Sequence, residues 1–179
     1  MEFVILGWPA DGPTLRLDHE RFSYAGKFVM SNTGKAVVRA DGDAVAAVAF
    51  NEDRTDADVC WLRYITVRND RRGDGIGARL AAGIRSHLLD RDYGVVRIAV
   101  NNPFAYRALY KAGFCFTGRT TGLAELVLEA PCTPSPAEYR RGMDRFRDRD
   151  LSEAETELLA SDRAERPPGQ VEAPVLVEG

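Results

Sequence analysis

Lysine is nearly missing from this chain: Lys27, Lys35 and Lys111 stand within a combined Lys and Arg count of 24. The excess of arginine reads as compositional bias and carries no functional conclusion. Histidine is scarcer still, and His19 and His87 lie too far apart in sequence to suggest a His-based metal centre. Cys60, Cys115 and Cys132 are odd in number and form no CxxC pair, which argues against a disulfide framework and a structural zinc site. No apolar run approaches the roughly 20 residues of a membrane span. The opening Met1–Pro9 stretch has no basic leader, and its apolar run is too short for a signal peptide. The expectation is a cytoplasmic, soluble protein. A formal net charge of −3 leaves no global field favouring nucleic acid or an anionic membrane, and no internal repeat is visible.

What is present fits one domain with an appendage: 179 residues, of which 45% are apolar. Phe3–Trp8 reads as a strand closed by a Pro/Gly turn cluster, and Asp18–Phe28 as a short helix. Lys35–Ala40 and Ala44–Phe50 flank Asp41-Gly42-Asp43, a hairpin signal because Asp-Gly tolerates positive φ. A polar loop, Asn51–Asp58, leads into a third strand of this meander, Trp61–Val67. Ile76, Leu80, Ala81, Ile84 and Leu88 then recur at helical spacing. Val95–Val100 is a strand, and Asn102-Pro103 supplies an N-cap and a first-turn proline for a helix ending at Gly113. Phe114–Thr117 and Leu123–Glu129 form a closing hairpin. Capping boxes at Ser135 and Ser152 start two further helices, and the final ten residues read as a flexible or docked tail. The arginines and aspartates of 140–150 alternate as on a solvated, ion-paired face.

The stretch between strand 61–67 and helix 76–89 holds the chemistry. Gly73, Gly75 and Gly77 alternate there, just after Arg71 and Arg72. Glycine lets the backbone bend tightly and lets a bulky ligand approach its N–H groups. A helix starting at that point aims unpaired N–H groups and a positive dipole end at its ligand. Phosphate or pyrophosphate suits such a site, with the arginines adding charge-assisted bonds. A Walker loop needs Gly-Lys-Ser/Thr, which Gly77-Ala78-Arg79 is not. A dinucleotide fingerprint needs the strand to run straight into the first glycine and an acid after the next strand. Here five polar residues intervene and Asn101 stands where the acid belongs.

Arg72-Gly73-Asp74-Gly75-Ile76-Gly77 instead resembles the acyl-CoA signature R/Q-x-x-G-x-G/A of the GNAT acetyltransferase superfamily. Asn102, Ala105 and Gly113-Phe114 resemble that family's downstream motif, and strand order agrees from about Glu2 to Glu129. The resemblance implies an α/β (α+β) fold: a mixed, mostly antiparallel sheet of six to seven strands with helices on both faces. Residues 1–130 would form that domain, 131–166 a C-terminal helical extension and 167–179 a tail. It further implies N-acetyl transfer from acetyl-CoA, as co-substrate and without a metal, to a primary amine attacking directly in a ternary complex. The amine would belong to a small molecule, a peptide N-terminus or a lysine. Pyrophosphate would rest on N–H groups of Arg72, Gly73, Asp74, Gly75, Ile76, Gly77 and Ala78, with Arg71 or Arg72 adding charge. The pantetheine arm would pair with main-chain groups of Ile65, Thr66 and Val67, with Asn102, Ala105 and Tyr110 on its far side.

The family's acid is commonly a tyrosine four residues before Gly-Phe, where this chain has Leu109. Tyr110 follows it, about 100° around a regular helix, and Tyr106 lies one turn earlier. No carboxylate stands on strand 61–67 to act as base, which leaves Glu52 and Asp58, with Asp53 and Asp56, acting through water from the preceding loop. Cys60 reads as a buried structural thiol. Asp74 stands where a basic or neutral residue is usual, so its side chain is expected to face solvent. Glu20, the 51–58 acids, Phe22, Tyr24 and Phe28 would suit a cationic, partly apolar acceptor. The alternative function is an acyl-CoA-binding regulatory protein without turnover. A homodimer through the C-terminal helices or a sheet edge stays open, with neither nucleic acid nor membrane as partner.

Overall fold

The computed structural model describes residues 1–179. Along the chain run β1 (Glu2–Gly7), β2 (Gly34–Ala40), β3 (Asp43–Glu52), β4 (Val59–Val67), α1 (Ile76–Asp90), β5 (Val95–Val100) and α2 (Pro103–Lys111). After them come β6 (Cys115–Thr120), β7 (Leu126–Ala130), α3 (Pro136–Asp144), α4 (Glu153–Ala160) and β8 (Val177–Glu178). This is a mixed α/β fold with mostly antiparallel strands. The chain forms two units, Met1–Val96 with Glu172–Gly179, and Arg97–Val171.

In the first unit the strands run in the order β4-β3-β2-β1-β8. The first three pairings are antiparallel, and β8 lies parallel to β1. The β2–β3 turn has φ of 53° at Asp41 and 85° at Gly42, the positive pair that a two-residue hairpin requires. Ile76, Leu80, Ala81, Ile84 and Leu88 are the buried stripe of α1, which packs on β2, β3 and β4. Each such Leu or Ile contributes about 1.5–3 kcal/mol of burial. A second cluster of Val4, Phe28, Val37, Ala47 and Ala49 is covered by Leu6, Leu15, Leu17 and Tyr64.

The helix expected at Asp18–Phe28 is absent. Turns and a short 3-10 segment, Ala25–Lys27, replace it. Tyr24 has φ of 61°, which breaks any helical run. The segment's polar backbone is used elsewhere: Leu15 N–H donates to the Phe28 carbonyl at 2.8 Å, and the Arg21 carbonyl accepts from Asn69 N–H at 2.9 Å. Its ends are tied by Lys35, a fully buried lysine. Lys35 Nζ donates to the carbonyls of Pro13 (2.6 Å), Met30 (2.6 Å) and Thr33 (3.0 Å), and to Thr33 Oγ1 (2.8 Å). The tail, left open between flexible and docked, is docked: Leu176 is buried, and Gly179 N–H donates to the Ile5 carbonyl at 2.9 Å.

In the second unit β6 and β7 pair antiparallel, with β5 beside β7. Asn102 Oδ1 caps α2 by accepting from Ala105 N–H at 2.8 Å, and the Ser135 and Ser152 hydroxyls cap α3 and α4. The full capping box forms only at Ser152 with Glu155, because Glu138 pairs with Arg141 at 2.6 Å instead. Cys115 and Cys132 are joined in a disulfide with Cα atoms 6.1 Å apart. That corrects the expectation drawn from an odd cysteine count. Cys115 pairs with Glu129 across the β6–β7 ladder, and this brings Cys132 alongside. No helix of the chain is long and apolar enough to cross a membrane.

Candidate functional site

β4 delivers the chain into the glycine turn with a local irregularity. Ala49 opposes Tyr64 and Phe50 opposes Leu62, so Arg63 is an extra residue on β4. Beyond the bulge Thr66 pairs with Ala47 and shares a face with Tyr64, while Val67 points to the α1 side. Thr66 is buried, and its Oγ1 has no hydrogen-bond partner.

Gly73 and Gly75 have φ of 89° and 75°, both in the left-handed region that disfavours a side chain. Gly77 serves a different need. A Cβ there would stand 3.1 Å from Val67 Cγ2, so its absence lets the first turn of α1 lie close on β4. Gly75 is the N-cap of α1 and offers no side chain to the first N–H groups, and no acid occupies the first turn. Most helices of this kind cap those donors with Ser, Thr, Asp or Asn. Here Ile76, Gly77 and Ala78 begin α1 without a side-chain cap, at the positive end of a 15-residue helix. Arg72 Nη2 donates to Ser23 Oγ at 2.8 Å. Arg71 pairs with Asp74 at 3.1 Å, and the Asp74 side chain is 54% exposed. The first turn of α1 thus presents main-chain donors with no side-chain cap and no acid beside them.

In the second unit, α2 carries the downstream residues. Asn102 and Ala105 are joined by the cap already described, which commits Asn102 Oδ1 to the helix and leaves Nδ2 against Asn101 Oδ1 at 3.4 Å.

The sequence profile of the Acetyltransferase (GNAT) family matches residues 5–114. This chain belongs to that family. Among solved structures, this GNAT chain superposes on Tetrahymena GCN5 with a TM-score of 0.53 at 15% identity, over 75% of this chain and 98% of that one. Nourseothricin acetyltransferase gives 0.49 at 23%, over 56% and 66%. PaiA N-acetyltransferase from Thermoplasma acidophilum, solved with coenzyme A, gives 0.46 at 16%, over 53% and 58%. The match spans less than two thirds of those last two proteins. No curated protein matches the chain. At these identities the likeness is one of fold.

The acids of this GNAT chain are largely engaged in shaping its own loops. Asp53 accepts from Thr55 N–H (3.0 Å), Thr55 Oγ1 (2.9 Å), Asp56 N–H (3.1 Å) and Trp61 Nε1 (2.7 Å). These bonds, the Thr55 N–H first and then Trp61, hold its carboxyl well below the usual carboxylate range. Asp58 accepts Gly94 N–H at 2.9 Å on Oδ1, and its carbonyl accepts from Gly94 and Val95 N–H, which ties those two residues to the loop before β4. Glu52 Oε1 accepts from the Tyr93 hydroxyl at 2.8 Å. Burial, and then that carboxylate, push the Tyr93 phenol up. Cys60 is buried, and desolvation followed by Glu52 pushes its thiol up to about 12, as suits a structural thiol.

Tyr106 and Tyr110 are both buried. The Tyr106 hydroxyl donates to the Tyr139 carbonyl at 3.1 Å, and the Tyr110 hydroxyl accepts Phe116 N–H at 3.0 Å. The two oxygens are 3.4 Å apart. Burial raises both phenols; at Tyr110 the bonds from Tyr106 and Phe116 N–H work against it. Phe22 and Phe28 are also buried, which withdraws them from any acceptor surface; Tyr24 is 54% exposed and tilts against Tyr64 with centroids 5.9 Å apart. Tyr139, Met143 and Phe146 fall on one apolar stripe in the sequence, and all three are buried. Sequence reasoning did not assign a role to Lys35 or Arg107; only the rarity of lysine could have flagged the first, and nothing local marks the second.

Proposed function

We propose that this chain is an N-acetyltransferase that uses acetyl-CoA to acetylate a primary amine in a ternary complex. The observation that carries the reading is the uncapped N-terminus of α1, with positive φ at Gly73 and Gly75 and close packing at Gly77. Those residues fit a pyrophosphate: main-chain N–H groups from Arg72 to Ala78 would hold it, and Arg71 and Arg72 would add charge. Bound acetyl-CoA would supply the activated acetyl group. Main-chain groups of Ile65, Thr66 and Val67 would orient its arm, with Asn102, Ala105 and Tyr110 completing the contacts.

As the amine nitrogen bonds to the acetyl carbon, the carbon–sulfur bond breaks. The thiolate takes a proton and the amine loses one. Tyr110 is the better donor of the two tyrosines. Tyr106 already donates to the Tyr139 carbonyl, whereas the Tyr110 oxygen accepts Phe116 N–H and keeps its own proton for transfer. Glu52 and Asp58 would receive the amine proton through water. A second reading, CoA binding without turnover, draws support from the buried hydroxyls and engaged acids. Titration of CoA by calorimetry, beside a thiol-release assay over a broad amine panel, separates the two. Tight binding with turnover above background supports the enzyme; tight binding with background release for every amine removes it.

A further inference from the structure

The segment beyond residue 130 lies outside the stretch matched by the family profile, yet within the second unit it grips α2 at three places. Tyr106 Oη bonds the Tyr139 carbonyl at 3.1 Å, and their rings stack with centroids 5.6 Å apart. Arg107 Nη1 donates to Tyr139 Oη (2.9 Å), the Arg163 carbonyl (2.6 Å) and the Arg166 carbonyl (3.2 Å). At the helix end, the Lys111 carbonyl accepts from Val171 N–H at 2.8 Å. Tyr139 Oη also donates to the Arg163 carbonyl at 2.6 Å, so one arginine and one tyrosine close a ring of bonds around α2.

The approach is close enough to demand a glycine. Any Cβ at Gly142 on α3 would collide with the Tyr106 hydroxyl and ring. Tyr106 in turn touches Tyr110, ring to ring at 5.0 Å. The Tyr139 ring meets Tyr110 edge-on at 4.8 Å. α2 has nine residues, and a helix that short is marginal by itself, so its position comes from these partners.

We propose that segment 135–171 positions the Tyr110 hydroxyl through Gly142 and Arg107, which makes both positioning residues for acetyl transfer. The inference rests on the reading of Tyr110 as the proton donor. Gly142 sets how near Tyr106 stands to α3, and Tyr106 and Tyr139 together set where the Tyr110 ring lies. Arg107 fixes the rotation of α2 by reading two carbonyls that only the folded C-terminal segment presents. The bonds of this clasp fall on Tyr106, Arg107 and Lys111 and on none of residues 72–78, so turnover should respond more strongly than binding.

The test uses the full chain with Gly142→Ala, the milder Arg107→Lys, Tyr110→Phe, and Arg107→Lys combined with Tyr110→Phe. Hydrogen exchange of the Phe116 amide reads the Tyr110 bond without requiring activity. Calorimetry reads CoA affinity, and thiol release reads kcat. In Arg107→Lys and Gly142→Ala the Phe116 amide should exchange at least about tenfold faster than in the unaltered chain. CoA affinity should fall by less than kcat, which drops by on the order of 10–10², as misplacement of a catalytic group does. In the Tyr110→Phe background, adding Arg107→Lys should change kcat by less than about twofold, because both act on one group. Unchanged Phe116 exchange in both variants, or fully additive losses in the double variant, overturns the inference. If the unaltered chain binds CoA but turns over no amine, the acetyltransferase reading fails, and amide exchange alone decides the positioning claim.

Discussion

Gly75→Ala isolates what the glycine turn does. No atom lies within 4 Å of a Cβ built at Gly75, so the substitution is not a steric clash. Its cost is conformational: φ is 75°, and a left-handed non-glycine residue costs about 1–2 kcal/mol. Gly42→Ala is a matched control, with φ of 85° and equally open space in the β2–β3 hairpin. Gly42→Ala should lose about 1–2 kcal/mol in denaturant titration, and Gly75→Ala no more than that. Only Gly75→Ala should weaken CoA binding, because relief of the strain turns the N–H groups at the start of α1. If half or more of the strain is shed that way, the loss is about tenfold for each 1.4 kcal/mol of misdirected interaction. Calorimetric titration of both variants with CoA reads the difference. Equal CoA affinity in Gly75→Ala and the unaltered chain would refute the assignment of main-chain donors here. Equal weakening in Gly42→Ala would show that the effect is general instability.

Other consequences follow from buried groups. Cys60, with its thiol pushed up from 9.0 to about 12, should resist alkylation at pH 8 in the native chain and react on unfolding. Because the shift is upward, its contribution to stability is complete below pH 9.0 and drains away between 9.0 and about 12, which denaturant titrations across that range would follow. Lys35→Met removes a donor from four oxygen acceptors and should cost about 3 kcal/mol or more, measured by urea unfolding. Gly83→Ala drives a Cβ against the Leu176 side chain and to 3.0 Å from the Pro174 carbonyl. It should cost about 1–3 kcal/mol and speed proteolysis of 172–179, whereas an unchanged cleavage rate would mean that the tail does not depend on this contact.

Legibility in the sequence followed the range of the interactions involved. The glycine turn, the Asp41-Gly42 hairpin and the Asn102 cap depend on neighbours within four residues, and each stands as its residues specify. The stripe of α1 depends only on period, and it is the stripe that is buried. Segment 18–28 was misread because its polarity fits a helix while Tyr24, Asn69 and Lys35 impose a different path from outside the pattern. Counting cysteines missed the Cys115–Cys132 bond because the pairing comes from the β6–β7 ladder. The surroundings of Tyr106 and Tyr110 depend on Tyr139 and Gly142, about thirty residues away on a helix with no sequence link to α2.

The central claim is that the start of α1 holds the phosphates of acetyl-CoA on main-chain donors. An amide-resolved NMR titration of the full chain with CoA tests it most directly. The account predicts that the amides of residues 73–78 shift most and saturate together with binding, while those of α3 and α4 stay in place. Saturable CoA binding that leaves the amides of 73–78 unmoved would contradict it.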